Sequence, residues 1–182
     1  NILPGSLVSI TSQDSIVEPA NSNNETNVIG VVSERSGFMG NAPQEAPPSS
    51  SSVVVGLLGQ IKTIVSNLNG PIAPGDPIAA SDWYGVGTKS TKAGTIVGRA
   101  VESSSSWNEE TCSLVNSLAD IYWPAYHGDP NYKPCFRLPD GHYVGRINVL
   151  VQPSWYDPNT YLTSTGDLNI VGQPAGGYAL QD

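Results

Sequence analysis

GPIAPGDPIAASDWYGVGTKSTKAGTIVGRAV, residues 70 to 101, decides the fold class. Its Ile, Val and Thr residues favour a pleated, half-buried surface, because branched side chains pack well there. Gly and Pro interrupt them at short intervals. Pro74-Gly75 bends the chain, and Asp76 is placed to cap the bend with its side chain. Three short strands remain: Pro77-Ile78-Ala79-Ala80, Gly85 to Lys89, and Gly94 to Val101. Short strands separated by turn signals about ten residues apart predict a small barrel or sandwich. Glycines inside such strands fit barrel corners and bulges. Charge is confined to Asp76, Asp82, Lys89, Lys92 and Arg99, and Gly85-Val86-Gly87 is no dinucleotide fingerprint because no helix follows it. The stretch reads as scaffold.

The same rhythm extends in both directions. Upstream, Leu7 to Ile10, Ser15 to Glu18, Val28 to Val32 and Gln60 to Val65 read as strands, with Asn69-Gly70 as a turn. Ser36 to Ser52 has no periodicity and is rich in Pro and Ser, so it reads as an exposed loop. Downstream, Ser106-Trp107-Asn108-Glu109 has the form of a capping box, and Leu114, Leu118 and Ile121 fall at helical spacing. This pattern predicts a helix over 108–121. Trp123 to Pro139 reads as an irregular aromatic loop, and Tyr143 to Val151 alternates as a closing strand. The expected architecture is therefore mainly all-β: a barrel or sandwich over 1–158, a partly helical insertion at about 103–140, and an extended C-terminal tail over 159–182.

Composition narrows the function. Only 13% of the 182 residues are charged and the net charge is −8. A nucleic-acid partner needs a basic footprint, which is missing, and no apolar run is long enough for a membrane-spanning helix. The opening NILPGSLVSI lacks the basic and apolar regions of a signal peptide, and a start at Asn1 reads as a processed or trimmed end. Cys112 and Cys135, an even pair in a hydroxyl-rich chain, read as one disulfide formed in an oxidising compartment. The loop it closes is worth roughly 3 kcal/mol.

Candidate sites are few. His127 and His142 are the only histidines, and neither stands in a nucleophile-elbow pattern. Glu109-Glu110 fit a helix start, and Asp129, Asp140 and Asp157 fit turns. Without a calcium loop or paired zinc ligands, no metal, cofactor or catalytic residue is assigned. Asn24-Glu25-Thr26 is a glycosylation sequon in a polar turn. Trp123, Tyr126, His127 and Tyr132 cluster inside the cysteine-closed loop. They suit either a small core over the barrel or a contact surface for a glycan or receptor.

Several segments carry a resemblance, among them Pro4 to Ser9, Val28 to Ser33, Gly59 to Ser66, Pro74 to Ile78, Lys92 to Ala100, Asn148 to Val151 and Ser154 to Pro158. In this order they resemble a β-structured module of large secreted or surface proteins of uncultured bacteria and of phage tail-fibre-like proteins. A similar rhythm occurs in small capsid-decoration barrels. In the surface proteins, the module often stands ahead of a fibre or self-cleaving chaperone region, none of whose catalytic residues can be placed here. The Trp107 to Pro139 insertion, with its cysteines, departs from the plain module.

The resulting expectation is a secreted, non-enzymatic subunit of an extracellular filament or surface appendage. Its partners would be copies of itself, joined by strand addition at sheet edges. The tail, with Leu168, Ile170 and Leu180 alternating, is the expected strand donor, and an N-terminal arm over 1–10 is the other candidate. A glycan- or receptor-binding module is the alternative.

Overall fold

The computed structural model describes residues 2–14, 16–34, 52–121, 123 and 134–171. In chain order the strands are β1 (Leu7–Ile10), β2 (Val17–Pro19), β3 (Val28–Val32), β4 (Val55–Gly56), β5 (Gly59–Ser66), β6 (Pro77–Ala80) and β7 (Gly87–Lys89). There follow β8 (Gly94–Ala100), β9 (Ser113–Leu114), β10 (Cys135–Arg137), β11 (Tyr143–Tyr156), β12 (Thr160–Leu162) and β13 (Leu168–Ile170). The only helical pieces among the described residues are two 3-10 turns, Glu25–Asn27 and Leu118–Asp120. The chain is therefore nearly all β, as the Gly/Pro-punctuated strand pattern predicts.

Five strands close on themselves in the order β5-β7-β6-β8-β11, with β11 returning to pair with β5. Closure removes free edges from the barrel. All these pairings are antiparallel except β5 with β7. β11 is the organising element. It pairs with β5 from Val144↔Ser66 to Val151↔Gly59, and with β8 from Val149↔Ala100 to Tyr156↔Gly94. It is longer than the Tyr143–Val151 run expected from alternation, because it passes through Pro153 where the register with β8 shifts between Val151 and Ser154. A proline has no N–H to donate, so a bulge is where a strand can carry one. Opposite the shift, a Cβ on Gly98 would collide with the carbonyl oxygen of Leu150, so the two strands approach too closely for any side chain there.

The barrel interior is filled by Val65, Ile78, Val97, Ile147, Val149 and Val151, all essentially without solvent contact. Leu7, Val28 and Val31 from a second sheet, ordered β2-β1-β3-β4, belong to the same core. Main-chain bonds weld the two sheets: Ile64 N–H donates to Gly5 O, and Leu7 N–H donates to Gly85 O. The N-terminus is thus no free arm. Leu7 and Val8 are fully buried, and β1 lies between β2 and β3 of its own sheet. Strand donation from 1–10 would first have to open this core.

Neighbouring residues on a strand face opposite ways. Ile64 and Val144, next to Val65 and Gly145, therefore lie on the barrel's outside, where they join Val86 and Leu138 in a second apolar cluster. Val115, Leu118, Ile121 and Trp123 of the insertion cover it. The helix expected over 108–121 does not form. The Asn108 side chain instead accepts N–H bonds from Glu110 and Thr111, making a local turn. Cys112 is then tied to Cys135 by a disulfide with its Cα atoms 4.7 Å apart. β9 runs parallel to β10, which pairs antiparallel with β11. Leu114, on the predicted helical face, is exposed, and Val115 takes the inward position. The aromatic loop expected over 123–139 likewise contains strand β10.

Candidate functional site

After β11 the chain leaves the barrel. Asn159 N–H donates to Asp157 Oδ1, turning the backbone, and Val171 N–H donates to Asn159 O, closing a small hairpin of β12 and β13. The tip is rich in polar bonds. Thr163 N–H donates to Asp167 O, Asp167 N–H to Thr163 Oγ1 and Thr165 Oγ1 to Asp167 Oδ2 at 2.6 Å. Gly166 sits there with φ +92°, a conformation that glycine adopts without steric cost. The turn is thus well specified.

The faces of the hairpin are unequal. The register sets Leu162 opposite Leu168 and Thr160 opposite Ile170, all on one face. Tyr161 and Asn169 share the other, where Asn169 Nδ2 donates to Tyr161 Oη at 2.9 Å. Leu162 is 71% exposed, Leu168 59% and Ile170 57%. An isolated two-stranded ribbon is marginal in water, and one that shows its apolar face to solvent has no core to hold it. Apolar residues gathered on one projecting element mark an interaction surface more specifically than scattered ones do.

A second feature lies in the N-terminal sheet. The β1–β3 ladder stops at Ser9↔Val28, after a register shift. Beyond it, Ile10 keeps a partner only on β2, while the chain before β3 curls into the 3-10 turn Glu25–Asn27. The strands splay, leaving an open groove of about 420 Å³ lined by Ile10, Thr11, Ser12, Thr26, Asn27, Val28 and Ile29. No charged side chain lines it.

The other sequence-derived candidates fall as follows. Cys112 and Cys135 form the disulfide. Asn24 is bonded to the chain before its turn: its Oδ1 accepts Asn21 N–H at 2.7 Å, and its Nδ2 donates to Glu18 Oε1 at 2.9 Å. A glycosylated Nδ2 keeps one hydrogen, so attachment is compatible with the Glu18 bond. Trp123 packs edge-on to Phe136 and lies under the Arg146 guanidinium, within the outer cluster. Tyr126, His127, Tyr132 and Leu180 lie outside the described residues. His142 meets the edge of Trp83 at 6.1 Å. Among the described residues, no three His, Cys, Asp or Glu side chains gather where they could hold a metal ion, and no helix is long and apolar enough to cross a membrane.

Two carboxylates are held by specific partners: Asp76 caps the Pro74-Gly75 bend through Ala73 N–H, as its position in the sequence predicts, whereas Glu102 carried no signal in the sequence. Burial raises the Asp76 carboxyl, but the Ala73 N–H bond together with the bond and charge of Lys89 outweighs it and holds it below its ordinary value. Burial likewise raises Glu102, while Lys62 and the backbone and side-chain N–H groups of Asn148 draw it down. Both tie a residue just outside a strand to neighbouring strands of the scaffold, Asp76 to β7 and Glu102 to β5 and β11. Asn148 and Lys62 face each other in the β11–β5 register, a relation that linear spacing does not reveal.

No family model, curated protein or solved structure matches the chain.

Proposed function

We propose that this chain is a non-enzymatic structural subunit of an extracellular filament or surface appendage, assembling with copies of itself through β-strand contacts. One observation carries the reading: the β12–β13 hairpin projects from a closed barrel with Leu162, Leu168 and Ile170 bare. Such a surface is costly in a free monomer and becomes favourable when a partner covers it. The disulfide suits an oxidising compartment. The resemblance of its strand segments to modules of secreted surface proteins points the same way.

The test is negative-stain electron microscopy and light scattering of the non-reduced protein over a range of concentrations. Regular polymers are expected from the wild-type chain. Deleting Asp167–Asp182 removes β13 and should leave a folded monomer with an intact barrel. Polymers that form normally without this segment would overturn its role as donor, and a wild-type chain dispersed at every concentration would overturn self-assembly.

A further inference from the structure

We infer that the groove between β1 and β3 is the acceptor for the β12–β13 hairpin of a second copy, so that assembly runs head to tail. This rests on the self-assembly reading and adds to it the receiving surface and the direction of growth.

The argument starts from what one molecule holds at once. It has a splayed sheet with an unfilled groove and a short ribbon with an uncovered face, and within the chain neither covers the other. The dimensions agree. The side of the groove formed by β1 and its extension is Ile10 to Ser12, three residues, and β13 is also three residues, each spanning about 10 Å. The chemistry agrees as well. Ile10 and Ile29 supply apolar surface for Leu168 and Ile170, while Thr11, Ser12, Thr26 and Asn27 supply uncharged polar groups at the margins. The hairpin's own ionisable groups in contact with its strands, Asp157 and Asp167, are bonded into its turns, so no charge must be stripped of water on either side. The β3-facing side of Ile10 is also where a ladder is missing, which is the condition for strand addition. Donor and acceptor are different surfaces, so the contact is heterologous and repeats without a dyad.

Complementation of two blocked variants tests this. Leu168→Asp/Ile170→Asp charges the donor face. Ser12→Trp fills the acceptor from an exposed position, and Asn27→Trp is a second filler should the first fold poorly; neither alters the Asn24 sequon. Sedimentation of the full, non-reduced chains is the readout. Wild type is expected to grow with concentration, and each variant alone to remain monomeric. An equimolar mixture should give a 1:1 dimer that does not grow, because one copy offers only a donor and the other only an acceptor. A mixture that stays monomeric while wild type polymerises overturns the groove assignment and leaves self-assembly standing. Filler variants that polymerise like wild type do the same, and would mean that hairpins meet hairpins. A wild-type chain that never assembles removes the reading beneath both.

Discussion

The guanidinium carbon of Arg146 lies 4.7 Å from the centroid of the Trp123 ring, while its Nη2 donates to Pro4 O at 2.6 Å and its Nη1 pairs with Glu34 at 3.2 Å. One side chain on β11 therefore ties together the N-terminus, the segment after β3 and the cysteine-closed insertion. Trp123 completes the arrangement by meeting Phe136 edge-on, with ring centroids 5.0 Å apart. Trp123→Ala should lower stability by about 2 kcal/mol, from lost packing plus the cation–π contact. Trp123→Phe should lose less. Urea unfolding under non-reducing conditions measures both, and an unchanged midpoint for the alanine variant would show that the ring contributes nothing to the fold.

The disulfide holds the insertion over the outer cluster. Cys112 and Cys135 are 23 residues apart, so opening the bond should cost roughly 3 kcal/mol and lower the melting temperature by about 6–12 °C. Ile64, Val86, Leu138 and Val144 would lose part of their cover, so dye binding to apolar surface should rise on reduction. Calorimetry with and without reductant checks the first effect. A melting temperature unmoved by complete reduction would contradict it.

Two glycines on strands that both pair with β11 differ in what an added Cβ would meet. Gly98→Ala drives a Cβ into the backbone of β11 and should destabilise by about 3 kcal/mol or more. Gly59 has φ +113° and open space around the Cβ position, so Gly59→Ala should cost only the backbone penalty, about 1–2 kcal/mol. The order of the two melting temperatures decides the matter.

Acid should weaken the fold through Asp76 and Glu102. Both carboxyls titrate below their ordinary values in the folded chain, so the folded state binds fewer protons than the unfolded one at acid pH. Their contribution is complete above roughly pH 5 and is lost as pH falls through about 4 and below. Asp76→Asn and Glu102→Gln should each reduce stability at neutral pH and flatten the acid limb of stability against pH. Parallel limbs for wild type and variants would refute the assignment.

Local chemistry made the strands legible. β3 and β6 stand where the β-branched and apolar runs place them, and the Asn69-Gly70 turn and the cysteine pair are also as read. The insertion was misread because Leu114, Leu118 and Ile121 fit a helical period, whereas what shapes the segment is its tie to Cys135 and its ladder with β10, both remote in sequence. Trp123 could be placed in a loop from composition. Its burial under Arg146 depends on two strands and the N-terminus meeting.

For the candidate surface the division is similar. Alternation in Leu168-Asn169-Ile170 marked a strand too poor in partners to build a core, because a strand's two faces can be read from a period of two. Which face meets solvent, and that β12 rather than the barrel is its partner, came only from the three-dimensional pairing. The same holds for the groove. Nothing in Ile10-Thr11-Ser12 or in Thr26 to Ile29 announces a gap, since each segment reads as an ordinary strand end. The gap arises because the β1–β3 register shifts and stops, and register is a property of two chain segments packed against a shared core.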